Sequence, residues 1–122
     1  MCSNKKEFKV VTDQIGSPTY AMDLAKTCLD IMSGKFSSFI SERGRLYHYS
    51  NEGEVSWFEF AVEIIKFGKQ VNCKVLPILS KDYKTKVKRP HYSVLDKSKI
   101  KKDFNLEIPH WKDSLKNCIK KF

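Results

Sequence analysis

A short run rich in β-branched residues, Phe8-Lys9-Val10-Val11-Thr12, empties into the loop Asp13-Gln14-Ile15-Gly16-Ser17-Pro18-Thr19, and apolar side chains then return at helical spacing. This order constrains the fold more than any other feature. Phe8 to Thr12 predicts a strand, because such residues suit a pleated, half-buried surface. Gly16 permits an unusual backbone turn, and Pro18 biases Ser17 toward extended geometry. Thr19 is then placed to cap a helix. Leu24, Ala25, Cys28, Leu29 and Met32 form the apolar stripe of that helix, and Ser33-Gly34 ends it. Strand, polar loop and helix in direct succession is the unit from which α/β folds are built.

The rest of the chain continues the alternation. Phe36 to Arg45 fits more than one state, and Leu46-Tyr47-His48-Tyr49 predicts a second strand. Asn51 to Glu54 reads as a turn. Ser56-Trp57-Phe58-Glu59 is a capping box, in which Ser56 and Glu59 satisfy each other's free amide donors at a helix start. Trp57, Phe60, Ala61, Ile64 and Ile65 give that helix an apolar face, with Gly68 near its end. Val75 to Leu79 contains Pro77 and so predicts an edge strand or extended segment. Ser80 to Lys88 predicts a lysine-rich loop. Asp96 is expected to cap a short helix through Phe104, with Leu95, Ile100 and Phe104 turned inward. Pro109 suits the first turn of a last helix with the stripe Trp111, Leu115, Cys118, Ile119 and Phe122. The predicted class is α/β: one domain over residues 1–122, resembling the C-terminal part of a doubly wound fold with a small helical subdomain.

Composition removes several functions. Aromatic content of 12% argues against disorder. No apolar stretch approaches the ~20 residues of a membrane span, and Met1 to Lys6 lacks a signal-type apolar segment. A cytoplasmic protein with no membrane partner is expected. The net charge of +9 invites nucleic acid, yet only three of the 23 basic residues are Arg. Base reading leans on bidentate Arg, so solvated lysine faces are expected and nucleic acid is not. Cysteines at 2, 28, 73 and 118 match no Cys-x-x-Cys pattern, and His48, His91 and His110 are scattered. No metal site is predicted. Cys28 and Cys118 are expected on buried helix faces.

Catalytic motifs are missing as well. The glycines at 16, 34, 44, 53 and 68 are too far apart for the Gly-rich turn that admits a dinucleotide's pyrophosphate. No Tyr has Lys four residues on, and no nucleophile elbow is present. Asp13, Glu59 and Asp96 have cap or loop roles as their simplest reading. What remains suits binding. Arg89 precedes Pro90, and a backbone-stiffened guanidinium fork matches phosphate oxygens; a surface ion pair is the competing role. Asp13 and Gln14 stand on a loop leaving a strand's C-terminal end, where open α/β folds place ligands; loop scaffolding competes equally. Trp57 and Trp111 are read as core anchors, with stacking on a base or sugar the alternative for Trp57. Tyr47, His48 or Tyr49 could also face a ligand.

Taken together, these motifs resemble the dTDP-4-dehydrorhamnose reductase family, a branch of the extended short-chain dehydrogenase/reductases. The resemblance is carried by Asp-Gln-x-Gly-x-Pro-Thr at 13–19, then Tyr47-His48, Gly53, Ser56-Trp57 and Phe60-Ala61. It continues with Pro77, Ser80, Tyr83, Arg-Pro-x-x-Ser-x-Leu at 89–95, and Trp111. It runs from about residue 8 to residue 122. Arg45 departs from it, standing where the family usually has Gly. The family's dinucleotide fingerprint and catalytic Tyr and Lys correspond to nothing in this chain. The resemblance implies a nucleotide-sugar substrate and, in the parent enzyme, reduction of the 4-keto group of dTDP-4-dehydro-L-rhamnose by NADPH or NADH. It implies that this chain binds no cofactor, is inactive alone and lacks an N-terminal Rossmann partner. Gln14 near the sugar and Arg89 near the diphosphate are the implied substrate-binding residues. The alternative is a non-catalytic relative acting through a protein partner, like the methionine adenosyltransferase regulatory β subunit. Strands and helix faces without cover also predict self-association as a homodimer.

Overall fold

In a computed structural model, residues 7–35, 46–68 and 73–121 are described. Strand β1 (Glu7–Val11) pairs in parallel with β4 (Lys74–Ile78), in register from Glu7 opposite Lys74 to Val11 opposite Ile78. Pro77 stands opposite Val10. Proline cannot donate to a ladder, and an edge position tolerates it. The Thr12 N–H extends the pairing to the Ile78 carbonyl at 3.0 Å. A second, antiparallel pair joins β2 (Ile15–Gly16) to β3 (Val55–Ser56). Ile15 also exchanges backbone bonds with His91 and Ser93, at 2.8 and 2.9 Å. The loop after β1 is thereby clamped between two distant segments. The mixed α/β class expected from the sequence is the class observed.

Among the described residues four α-helices complete the fold: α1 (Ala21–Met32), α2 (Trp57–Phe67), α3 (Ser98–Phe104) and α4 (Trp111–Ile119). The capping box of α2 forms as predicted. Ser56 Oγ accepts from the Glu59 N–H at 3.2 Å, and Glu59 Oε2 accepts from the Ser56 N–H at 3.1 Å. The Ser56 hydroxyl, donating to Glu59 Oε2 at 2.8 Å, and then the Ser56 N–H hold the Glu59 carboxyl below its ordinary range. Gly34, with φ +72°, ends α1 in the left-handed region that glycine enters freely.

Several local expectations are corrected by long-range partners. Thr19 does not cap α1. Tyr20 is the N-cap, and its N–H donates to Asn51 Oδ1 at 2.7 Å. Leu46 to Tyr49 forms no strand and joins no ladder. Lys97, not Asp96, is the N-cap of α3; Asp96 contributes by accepting from the Ser98 N–H at 2.8 Å. Pro109 lies just outside α4, whose N-cap is His110, with Nδ1 accepting from the Lys112 N–H at 3.2 Å. Gly16 is not in a left-handed conformation. A Cβ there would stand 3.1 Å from Ser93 Oγ, so close approach is what favours glycine. The open segment Phe36 to Arg45, with the departure at Arg45, lies outside the described residues, as do Cys2 and Phe122.

Two apolar clusters form the core. Val55, Trp111 and Leu115 pack with Phe60, Phe67 and Ile119. Ile100, Phe104 and Ile108 pack with Ile31, Tyr47 and Tyr49. The fully buried Asn51 ties together the starts of α1 and α4. Its Nδ2 donates to Asp23 Oδ2 at 2.7 Å, Ser114 Oγ at 2.8 Å and the Pro109 carbonyl at 3.1 Å. Beside it, the buried Lys97 ammonium reaches Ser50 Oγ and the Asn51 carbonyl, each at 3.4 Å, and Glu52 Oε2 at 3.8 Å. Such groups are tolerable in a core because each has a partner. Other faces stay uncovered. Met22, Leu29 and Met32 of α1 are exposed, Cys28 is exposed rather than buried, and Trp57 is 41% exposed rather than a core anchor. Leu95 is exposed too. No helix among the described residues is long and apolar enough to cross a membrane.

Candidate functional site

The parallel strands β1 and β4 both point their carboxyl ends at one place. Asp13 and Gln14 follow β1, and Leu79 and Ser80 follow β4. A cavity of about 720 Å³ opens there, within the size range of ligand sites and where α/β folds place them. Its walls carry Lys81, Lys84, Lys86, Lys88 and Arg89. All five are exposed. Among the described residues no hydrogen bond or ion pair engages the Arg89 guanidinium, so the surface ion pair considered for it is not formed.

The floor is fixed by hydrogen bonds. Asp13 accepts from the Ser80 N–H at 3.0 and 3.1 Å and from the Ser80 hydroxyl at 2.7 Å. These bonds, the hydroxyl's foremost, hold the Asp13 carboxyl below its ordinary range against the opposing effect of desolvation. Gln14 Nε2 donates to Ser80 Oγ at 2.8 Å. His91 Nδ1 lies 2.9 Å from the Asp13 carbonyl. The Trp57 N–H donates to the Gln14 carbonyl at 3.3 Å. The segment between β1 and β2 is therefore pinned from three directions.

Both residues expected at the site, Gln14 and Arg89, line this one cavity although 75 positions separate them (89 − 14). Asp13 has the loop role read for it. Trp57, His48, Tyr47 and Tyr49 do not line the cavity. Ser80 and the lysines from 81 to 88 were missed as site residues. Ser80 enters the sequence reading only within the family motif, and the density of Lys beside Arg89 also fits a solvated loop. A second groove of about 400 Å³ runs between α2 and α4, but Glu54, Glu59 and Glu63 line it and disfavour an anion. Among the described residues no group of His, Cys, Asp or Glu converges to hold a metal ion. The cationic cavity can therefore bind and orient an anionic ligand.

Comparison with known proteins accords with this geometry. The family model of the RmlD substrate binding domain matches residues 1–122. The spore coat polysaccharide biosynthesis protein SpsK of Bacillus subtilis (strain 168) is 34% identical over 119 residues, covering 98% of this chain and 38% of that protein. The dTDP-4-dehydrorhamnose reductase of Aggregatibacter actinomycetemcomitans is 36% identical over 124 residues, covering 96% of this chain and 41% of that protein. The crystal structure of dTDP-4-dehydrorhamnose reductase from Bacillus anthracis str. Ames in complex with NADP superposes with a TM-score of 0.79 at 33% identity. That match covers 97% of this chain and 39% of that one. The chain thus spans well under half the length of the relatives it matches. With its whole length described by one family model and its fold shared with solved reductases, the chain belongs to the RmlD substrate-binding domain family.

Proposed function

We propose that these 122 residues form the nucleotide-sugar side of the cleft of a dTDP-4-dehydrorhamnose reductase. In the proposed reaction a hydride from NADPH or NADH reduces the 4-keto group of dTDP-4-dehydro-L-rhamnose to give dTDP-L-rhamnose. The carrying observation is the cationic cavity at the carboxyl ends of β1 and β4. A nucleoside diphosphate sugar joins a compact anion to a hydroxyl-rich ring. Arg89, with no competing partner, is assigned to the diphosphate, and Gln14 to the uncharged part of the ligand. Lysines around Arg89 add attraction as point charges.

The residues of this chain do not fit a dinucleotide cofactor. No two glycines stand close enough for backbone amides to approach a pyrophosphate. The hydride chemistry is assigned to a Rossmann portion outside these residues, and the chain alone is expected to be inactive. Titration of the chain with dTDP tests the binding role. Arg89→Ala is expected to weaken binding about tenfold, the effect of losing a charge-assisted hydrogen bond. Unchanged affinity would remove Arg89 from the site. Ketosugar-dependent NADPH oxidation by the lone chain would overturn the division of labour.

A further inference from the structure

We propose that Asp13 and Ser80 form a relay that fixes which end of the Gln14 carboxamide faces the cavity, so that its carbonyl oxygen is the acceptor that reads a hydrogen-bond donor on the ligand. The proposal rests on the nucleotide-sugar reading of the cavity and extends it by assigning polarity to a specificity residue. Asp13 and Ser80 are positioning residues here.

The argument is a count of protons. The Asp13 carboxyl, held below its usual range by Ser80, is ionised near neutrality and can only accept. It takes the Ser80 backbone N–H at 3.0 Å and the Ser80 hydroxyl at 2.7 Å. A serine hydroxyl has one proton, and Asp13 holds it. Toward Gln14, 2.8 Å away, Ser80 Oγ can therefore only accept. A carboxamide has a donor end and an acceptor end, and two acceptors at that distance repel. Nε2 must face Ser80, which leaves Oε1 turned away. Among the described residues Oε1 has no hydrogen-bond partner. The backbone on either side is held as well, by His91 on the Asp13 carbonyl and Trp57 on the Gln14 carbonyl.

The consequence is selectivity. The other charged groups that line the cavity and are free to contact a ligand, from Lys81 to Arg89, are donors. Donors alone would take any anion of suitable size. One fixed acceptor disfavours a phosphate oxygen at its own position and favours a hydroxyl or imide N–H there. The ligand is thereby oriented, with phosphates toward the lysines and an uncharged donor beside Gln14.

The test uses the whole chain and three probes: inorganic pyrophosphate, dTDP and dTDP-glucose. The first carries charge alone, the second adds the thymine N–H and a deoxyribose hydroxyl, and the third adds hexose hydroxyls. In NMR of the free protein, one Gln14 side-chain amide proton is expected to exchange slowly and to show a cross-peak to the Ser80 methylene. Asp13→Ala removes the acceptor of the Ser80 hydroxyl, which frees the Ser80 proton for Gln14 and lets the carboxamide turn over. The affinity ratio of dTDP-glucose to pyrophosphate is expected to fall about tenfold in Asp13→Ala and Ser80→Ala. Ser80→Thr, which keeps the hydroxyl, is expected to retain the wild-type ratio. A matching fall for dTDP against pyrophosphate would place the donor on the nucleoside; a fall for dTDP-glucose alone would place it on the hexose. Gln14 amide signals unmoved by Asp13→Ala, or ratios unchanged in both variants, would overturn the relay. Failure of wild type to bind any probe would overturn the nucleotide-sugar reading and with it the selectivity role, while the NMR result would still decide the polarity.

Discussion

Helices α1 and α4 carry apolar stripes of the same kind and meet different fates. In α4, Trp111 is 4% exposed and Leu115 is 8% exposed; in α1, Leu29 is 64% exposed and Met32 is 82% exposed. The difference is the neighbour. α4 lies against α2, where the Trp111 and Phe60 rings meet edge to face with centroids 5.7 Å apart. α1 rests on the second cluster through Ile31, buries Thr27 and is tied down at Asp23, and its other side faces solvent. The two-stranded parallel sheet shares this condition, since parallel sheets are usually wide and covered on both faces. Helical periodicity tells which face is apolar. It does not tell whether anything covers it.

The sharpest way to break this comparison is Trp111→Ala. It is expected to destabilise the chain by about 3–5 kcal/mol, measured by urea denaturation. A loss below 1 kcal/mol, on the order of one ordinary surface change, would mean that the α2–α4 contact is not the core. Next comes Asn51→Ala, which strands the Tyr20 N–H and takes a donor from the Asp23 carboxylate, and should cost about 2–3 kcal/mol. A variant as stable as wild type would show that water replaces those bonds. Ser56→Ala removes the α2 cap and should cost about 1 kcal/mol. Acid denaturation gives a direction. The folded Asp13 carboxyl titrates below its unfolded counterpart, so its contribution is fully present above the unfolded value and is lost as pH falls through the folded one. Asp13→Asn should flatten that acid limb; an identical limb would mean the carboxyl contributes nothing. The smallest effect is expected for Leu29→Ser, within about 0.5 kcal/mol. The same change should reduce self-association in ultracentrifugation. A large stability loss there would show that the α1 face is covered in solution.

Features set by neighbours in the chain were legible. The α2 capping box is complete within four residues. β1 announces itself by its β-branched run, and the α4 stripe by its period. Features set by distant partners were not. Thr19 is the natural cap by position, but Asn51 supplies the acceptor from 31 residues away. Gly16 reads as a turn residue, yet its constraint is Ser93 across the β2 loop. Pro109 reads as helical until His110 caps α4 instead. At the cavity, Gln14 and Arg89 could be nominated separately. Ser80 stands in the family motif, but its bonds to Asp13 and Gln14 exist only where β1 and β4 end together.

By itself the sequence determined the four helices and the strands β1 and β4, the α/β class and the absence of a Gly-rich phosphate turn, because these rest on local sterics, capping and spacing. Tertiary structure alone decided which faces are buried, that Asn51 is the polar hub, and that the lysines of 81–88 share a cavity with Gln14. Those outcomes depend on pairings across dozens of residues, and no local pattern encodes where the far partner will stand.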